Sequence, residues 1–441
     1  MHGTPATTRS VDEDLADAGL PALPRTAWLA VDLDRLVANL GAIRDALPHG
    51  TRVTPVVKAN ACGHGAVPVA RALEAAGADG FCVATWDEAL ELRHGGVTVP
   101  VLVLYPIPPA LAPDAAAHGV TLTLGDEALL ARTLAAWRDR GTTAAAGTSH
   151  GMPDMLRVQI EIETGLGRGG LAVAALSDAV RAVAATPGVA LLGVWSHLGS
   201  AEDPRRSLGQ AALFDEARRR ISGDGGVALT WHLAASGGVL ADTVPAYDSI
   251  RPGLSIYGVL PDDLRVAASR LPLAAALRPV LSLHARPVRV VDLPAGSGVS
   301  YGSAFVTDRA SRIATLPVGY ADGYQRARTN RVDALVRGRR VPLVGTVAMD
   351  AVMADVTDVG GPPVTVDDEF VLLGEQGTGT ITAAELARGG TTISWEVLAA
   401  MARRLPRVYY AAAGAVGVRT LTDESGQWRE ASERTPGEGR R

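Results

Sequence analysis

Eight short apolar runs, separated by stretches with helical spacing, constrain this 441-residue chain more than any other feature. They are TPVVK (54–58), GFCVAT (80–85), PVLVLY (100–105), VTLTLG (120–125), LRVQIEIET (156–164), ALLGVWSHLG (190–199), LTWHLAAS (229–236) and SIRPGLSIYG (249–258). Between them lie Ala/Leu/Arg segments such as VARALEAAG (69–77) and LSDAVRAVAAT (176–186), whose apolar residues recur at helical intervals. Eight buried-strand candidates alternating with helices predict an α/β fold with an N-terminal (β/α)8 TIM-type barrel over residues 27–268. A doubly wound open sheet uses the same alternation and stays open as the structural alternative.

Beyond residue 268 the grammar changes. VLSLHARPVRVV (280–291), RIATLPVG (312–319) and FVLLG (370–374) are β-rich runs, interrupted by one amphipathic helix, SWEVLAAMARRL (394–405). That pattern predicts a mostly β, largely antiparallel C-terminal domain over 269–422. Residues 1–26 lack periodicity and are expected to be a flexible leader. The polar run from 423 to 441 is expected to be a disordered tail, and GTTAAAGTSHGMPD (141–154) an inserted loop before the fifth strand.

Composition narrows the function classes. A net charge of −5 offers no basic excess for nucleic acid. No apolar run reaches membrane-spanning length, and Asp12, Glu13 and Asp14 do not suit a signal peptide. Two cysteines cannot make a disulfide framework, which points to the cytoplasm. The nine histidines show no ligand-spaced cluster, so no metal site is expected.

Of the 42 basic residues, Lys58 is the single lysine. Under so strong a drift to arginine, a surviving lysine is a candidate for chemistry that arginine cannot perform. Lysine can lose its proton and form a Schiff base, whereas arginine stays charged. Lys58 closes the first strand candidate, and barrel chemistry gathers at the C-terminal strand ends. The other ends carry Glu161, Glu163 and Arg168, His197, Ser236 and Arg251. SGG (236–238) and PGLS (252–255) add a hydroxyl and backbone N–H groups where barrels commonly hold a phosphate. A reactive lysine opposite a phosphate site suggests pyridoxal 5'-phosphate.

VVKANACGHG (56–65) resembles the cofactor-lysine motif of the alanine racemases, fold-type III pyridoxal phosphate enzymes. The resemblance continues through ETGLGRGG (163–170), SHLGSAED (196–203), IRPGLSIYGV (250–259), GSGVSYGSAF (296–305), LPVGYADGY (316–324) and VGTVAMD (344–350), in order across both domains. It implies that Lys58 carries the cofactor and serves as an acid/base on one face of the substrate Cα. It implies Tyr301 as the acid/base on the other face, supplied by the partner subunit of a homodimer. Arg251 matches the residue facing the cofactor's ring nitrogen, His197 a hydrogen-bond partner of that arginine, and Ser236, Gly253 and Leu254 the phosphate contacts. Arg168, the Met349 backbone N–H and Tyr320 match residues around the substrate. An arginine facing the ring nitrogen keeps it unprotonated, which weakens the electron sink and disfavours transamination.

Three positions depart from the family. Cys62 and Trp395 each stand where a tyrosine is usual, Trp395 near the phosphate. Glu161 stands where many members carry a carbamylated lysine, and is expected to pair with Arg168 in its place. The departures leave several readings open. The chain could racemise alanine, or serine or another small amino acid, or be a non-racemising pyridoxal phosphate protein with altered chemistry.

Overall fold

The computed structural model describes residues 10–140, 155–222, 228–412, 414–423 and 429–430. The loop expected at 141–154 lies outside them, as does most of the expected tail. The chain divides into two compact units, Leu36–Ala61 with Val69–Arg278, and Met1–Arg35 with Cys62–Pro68 and Pro279–Arg441.

The first unit is a barrel. Its strands are β1 (Arg52–Val53), β2 (Phe81–Val83), β3 (Val101–Val103), β4 (Val120–Leu124), β5 (Leu156–Glu163), β6 (Val189–Trp195), β7 (Thr230–His232) and β8 (Ser249–Ile250). β2 to β7 form one parallel sheet in chain order, and β8 pairs in parallel with β1. Single bridges, Val56 to Cys82 and Ala235 to Arg251, close the ring. All eight expected strands are present, and the closure decides for the barrel against the open sheet. The first lies just ahead of its apolar run, which takes part in the sheet only through the bridge at Val56, and Pro55 between them has no N–H to donate. Cys82, Leu102 and Trp195 pack inside the ring, as layered side chains do in barrels of this size.

The second unit is built on a 12-stranded sheet, antiparallel but for one pair. That exception corrects the expected boundaries. Ala27–Asp32, assigned by its sequence position to the barrel, lies here between Leu281–Ala285 and Arg407–Ala411. Part of the expected leader is also ordered. Ser10 caps the helix Val11–Asp17 in a reciprocal capping box with Glu13, and Val11 and Leu15 are buried against Trp28, Val408 and Val418. The two apolar residues at i and i+4 made one face, too short a pattern to register as periodicity. The helix expected over 394–405 stops at Ala399. Buried Arg407 takes the carbonyls of Met401, Ala402 and Leu405, the first of which a helix running to 405 would need, and Pro406 follows. Among the described residues, no helix is long and apolar enough to cross a membrane.

Candidate active site

Lys58 follows β1 and is half-buried. The chain then makes a left-handed turn, with φ of 52°, 55°, 53° and 48° at Ala59, Asn60, Ala61 and Cys62. Four non-glycine residues in that region cost about 1–2 kcal/mol each, so the surroundings must hold the turn in place. Two contacts do so at its start. The Ala61 N–H donates to Val57 O over 2.9 Å, and the Ala59 N–H donates to the Glu88 carboxylate over 2.6 Å.

Around the ring end the polar groups answer one another. Arg251 after β8 is buried, and its Nη1 and Nη2 donate to the carbonyls of His232 (3.1 Å), Ser196 (2.6 Å) and Leu233 (3.3 Å). Nη1 also donates to His232 Nδ1, while Nη2 reaches His197 Nδ1 at 3.5 Å. None of these bonds uses Nε. His232 Nε2 meets Gln159 Oε1 at 2.7 Å, so the proton sits on Nε2 and Nδ1 is the acceptor. The imidazole closest to Arg251 is therefore His232, which joins the expected partner His197 on the same guanidinium. Burial and the positive charges of Arg251, Arg168 and Lys58 push His197 down to about 3, which keeps it neutral. Burial raises the Cys82 thiol to about 11, against the pull of Arg251, Thr54 and Lys58.

Ser236 is buried, and its Oγ accepts from the N–H groups of Gly253 (2.9 Å) and Ser255 (3.1 Å) and from Ser255 Oγ (3.0 Å). Leu254 opens the short helical turn Leu254–Tyr257 beside it. On β5 and its loop, Arg168 Nη2 lies 3.5 Å from Glu161 Oε1. Burial raises the Glu161 pKa, against the opposing effect of Arg168. The neighbouring Glu163 has a local task, accepting from Gly165, Leu166 and Gly167 N–H to fold its own loop.

In the second unit the candidates are exposed side chains on held loops. Tyr301 sits in a turn where Ser300, Gly302 and Ser303 have positive φ. Ser300 Oγ donates to Thr346 O (2.6 Å), and Thr346 Oγ1 to Tyr301 O (2.8 Å). Tyr320 and Ala321 donate from their backbones to Ala348 O and Met349 O, both at 3.0 Å. Met349 N–H makes no hydrogen bond among the described residues. Buried Asp322 accepts from Arg404 and Arg25 and from Gly319 N–H, and Arg404 extends to Asp350. A Cβ at Gly319 would collide with the carbonyls of Ala348 and Met349. Trp395 lies in the helix Ser394–Ala399.

Comparison with known proteins decides the family. Residues 31–261 match the model of the alanine racemase N-terminal domain, and residues 280–409 that of the C-terminal domain. The chain belongs to the alanine racemase family. It is 38% identical over 387 residues to an alanine racemase of Symbiobacterium thermophilum, covering 87% of this chain and 97% of that one. It is 36% identical to alanine racemase 2 of Caldanaerobacter subterraneus subsp. tengcongensis, covering 87% and 95%. The crystal structure of alanine racemase from Bacillus anthracis with bound L-Ala-P superposes with a TM-score of 0.80 at 30% identity, covering 91% and 99%. Membership makes this chain a racemase, an enzyme of the isomerase class.

For an alanine racemase family member, the barrel brings Arg168, His197, Arg251, Ser236 and Gly253 to the same ring end as Lys58. Sequence reasoning missed four residues there. Gln159 stands two residues before Glu161 in the alternating strand LRVQIEIE, and His232 stands in the run LTWHLAAS; both were readable signals. Ser255 stood in the quoted PGLS. Glu88 stood on a helix away from every motif and gave no signal.

Proposed function

We propose that this chain interconverts L- and D-alanine with pyridoxal 5'-phosphate as cofactor, using Lys58 and Tyr301 as acid/base groups on opposite faces of the substrate Cα. The observation that carries the reading is the donor set at the barrel end, which suits that cofactor at both of its ends. Lys58 supplies an amine. Ser236 Oγ lies among the N–H groups of Gly253 and Ser255, a set of donors that could turn to a phosphate. Arg251 makes its hydrogen bonds through Nη1 and Nη2, and its Nε would be the donor for a ring nitrogen. Trp395 would contribute an indole N–H where the family has a tyrosine.

When bound, the cofactor supplies the electron withdrawal that makes the Cα proton removable. Lys58 Nζ and the Tyr301 hydroxyl then take and return that proton from opposite sides, and inversion follows because the proton leaves one face and returns to the other. Arg168, held by Glu161, and the Met349 N–H would bind the substrate carboxylate, with Tyr320 beside the entrance. Glu161 is a permanent carboxylate, so Arg168 needs no carbamate. Tyr301, Tyr320 and Met349 are exposed in the single chain, which suits a homodimer in which each copy completes its partner's site. The reducing cytoplasm suits the two buried cysteine thiols.

Purified protein with pyridoxal phosphate in deuterated water should give inversion together with deuterium at Cα from L-alanine, faster than from L-serine or other small amino acids. Faster turnover of serine would move the substrate assignment. Exchange with retention would remove Tyr301 from its role, and no exchange at all would remove the racemase reading.

A further inference from the structure

Glu88 holds the peptide that follows the single lysine. It lies in the helix Trp86–His94, which starts just after β2. Oε1 of its half-buried side chain accepts the Ala59 N–H over 2.6 Å, and Oε2 accepts the Ala84 N–H over 2.7 Å and the Thr85 N–H over 3.2 Å. Thr85 caps this helix, and Glu88 is the third residue of its capping box. Capping accounts for the contact with Thr85, the longest of the three. It does not account for the two shorter ones, made to Ala84 and, 29 residues away in sequence, to Ala59.

The N–H of Ala59 belongs to the peptide plane that leaves Lys58, and Ala59 is the first of four residues in left-handed conformation. Without a fixed acceptor, that plane is free to rotate toward the conformation alanine prefers, carrying the Cα–Cβ direction of Lys58 with it. One carboxylate thus ties the residue after Lys58 to the C-terminal end of β2. A charged acceptor on two backbone donors forms the stronger kind of hydrogen bond.

We infer that Glu88 is a positioning residue for Lys58: its carboxylate clamps the Lys58–Ala59 peptide and so sets where the lysine amine stands for cofactor attachment and proton transfer. The inference rests on the reading of Lys58 as the cofactor anchor. Glutamine at 88 keeps the shape, but it has a single acceptor oxygen and would set an NH2 against one of the backbone donors.

The test compares wild type with Glu88→Gln, Glu88→Ala, Thr85→Ala and the double variant Glu88→Ala/Ala59→Gly. Three quantities are read: the rate at which borohydride fixes pyridoxal phosphate on Lys58, kcat against KM for alanine, and amide hydrogen exchange across residues 58–62. The two Glu88 variants should lower trapping and kcat by roughly tenfold to a hundredfold, the scale of a misplaced reacting group, with KM little changed. Exchange at Ala59 should accelerate in both. Thr85→Ala, which removes only the cap, should lower the melting temperature and leave trapping and kcat as in wild type. Glycine at 59 tolerates positive φ, so the double variant should recover part of the loss.

Wild-type trapping, kcat and exchange in both Glu88 variants would overturn the inference. So would an equal loss of trapping in Thr85→Ala, which would make Glu88 only a helix cap. Wild type that is not modified at Lys58 would defeat the cofactor reading itself. In that case faster Ala59 exchange in Glu88→Gln would still establish the clamp on the turn, and unchanged exchange would remove it.

Discussion

The barrel end and the loops of the β unit treat their important residues in opposite ways. Arg251 is 2% exposed and its two terminal nitrogens are fully engaged. Tyr301, Met349, Tyr320 and Trp395 are 75%, 52%, 43% and 38% exposed. What is buried in the β unit is the support: Asp322, gripped by Arg404 and Arg25, locks the loops of Tyr320 and Met349 together. A cradle that works within one chain can satisfy its charges internally. On the homodimer reading proposed above, residues that serve another copy are left exposed, and the stabilising contacts go to the loop beneath them. The contrast teaches which half of a site can be read from one copy of a chain.

The largest effect expected tests that division directly. Lys58→Ala and Tyr301→Phe should each abolish most racemisation when assayed alone. Unfolded, mixed and refolded together, they form mixed dimers. Each mixed dimer has one barrel with Lys58 facing a partner with Tyr301, provided the tyrosine crosses between subunits. About a quarter of wild-type activity should then return, from one intact site in half of the dimers. If the tyrosine served its own chain, no mixture would recover activity, and the comparison would break at its centre.

Arg251 and Tyr301 should separate sharply in stability. Arg251→Met strips the donors from three carbonyls and from His232 Nδ1 in a buried setting. The cost should be about 3–5 kcal/mol in denaturant unfolding. Tyr301→Phe alters an exposed hydroxyl and should stay within about 0.5 kcal/mol. Equal costs would mean that Tyr301 is packed, and that its exposure does not describe its state in solution.

Much of this was legible in the sequence. Eight apolar runs marked eight strands, because strands buried in a barrel are mostly apolar, β5 with its alternating polar residues being the exception. Lys58, Ser236 and Arg251 were legible because they are unusual residues at strand ends. The Glu161–Arg168 pair was legible because a carboxylate and a guanidinium on one strand-and-loop have few other partners. What escaped depended on long sequence separation. Nothing near Glu88 hints that it reaches Ala59. Ala27–Asp32 falls by position within the expected barrel range until the pairing of Trp28 with His284 and of Leu29 with Arg407 is seen. Helix Val11–Asp17 was missed because its apolar face is only two residues, made worthwhile by a core lying elsewhere in the chain.

Acid should unsettle the two regions in different windows. The folded pKa of His197, about 3, lies below its ordinary value of 6.5. As pH falls from 6.5 the unfolded chain takes up a proton that the folded chain refuses, so stability drops through that range. The ceiling for this one group is about 2 kcal/mol at pH 5, less whatever solvent contact relieves. Asp322 works lower. Burial pushes its pKa up, but Arg404, Arg25 and the Gly319 N–H outweigh burial and hold it below 3.8. Its contribution is therefore intact at pH 5 and is lost only below about 4. Unfolding midpoints between pH 7 and 5 should fall in wild type and fall less in His197→Asn. A slope unchanged by that substitution would remove His197 from the account.

The smallest effect sharpens the barrel side alone. Glu161 is buried and Arg168 only partly so, at 3.5 Å. Glu161→Gln keeps the volume and removes the charge that orients the guanidinium. The loss of one charge-assisted contact should be about 1–2 kcal/mol, seen as roughly a tenfold fall in kcat/KM for alanine. Stability should move little, since burial already disfavours the charged form of Glu161, and a neutral amide at that place is relieved of the same burden. Added bicarbonate should leave wild type unchanged, because the carboxylate is already part of the chain. A wild-type rate in Glu161→Gln would mean that Arg168 is held by something else. The cation–π contact of its guanidinium with Tyr105, at 5.5 Å, would then be the next support to remove.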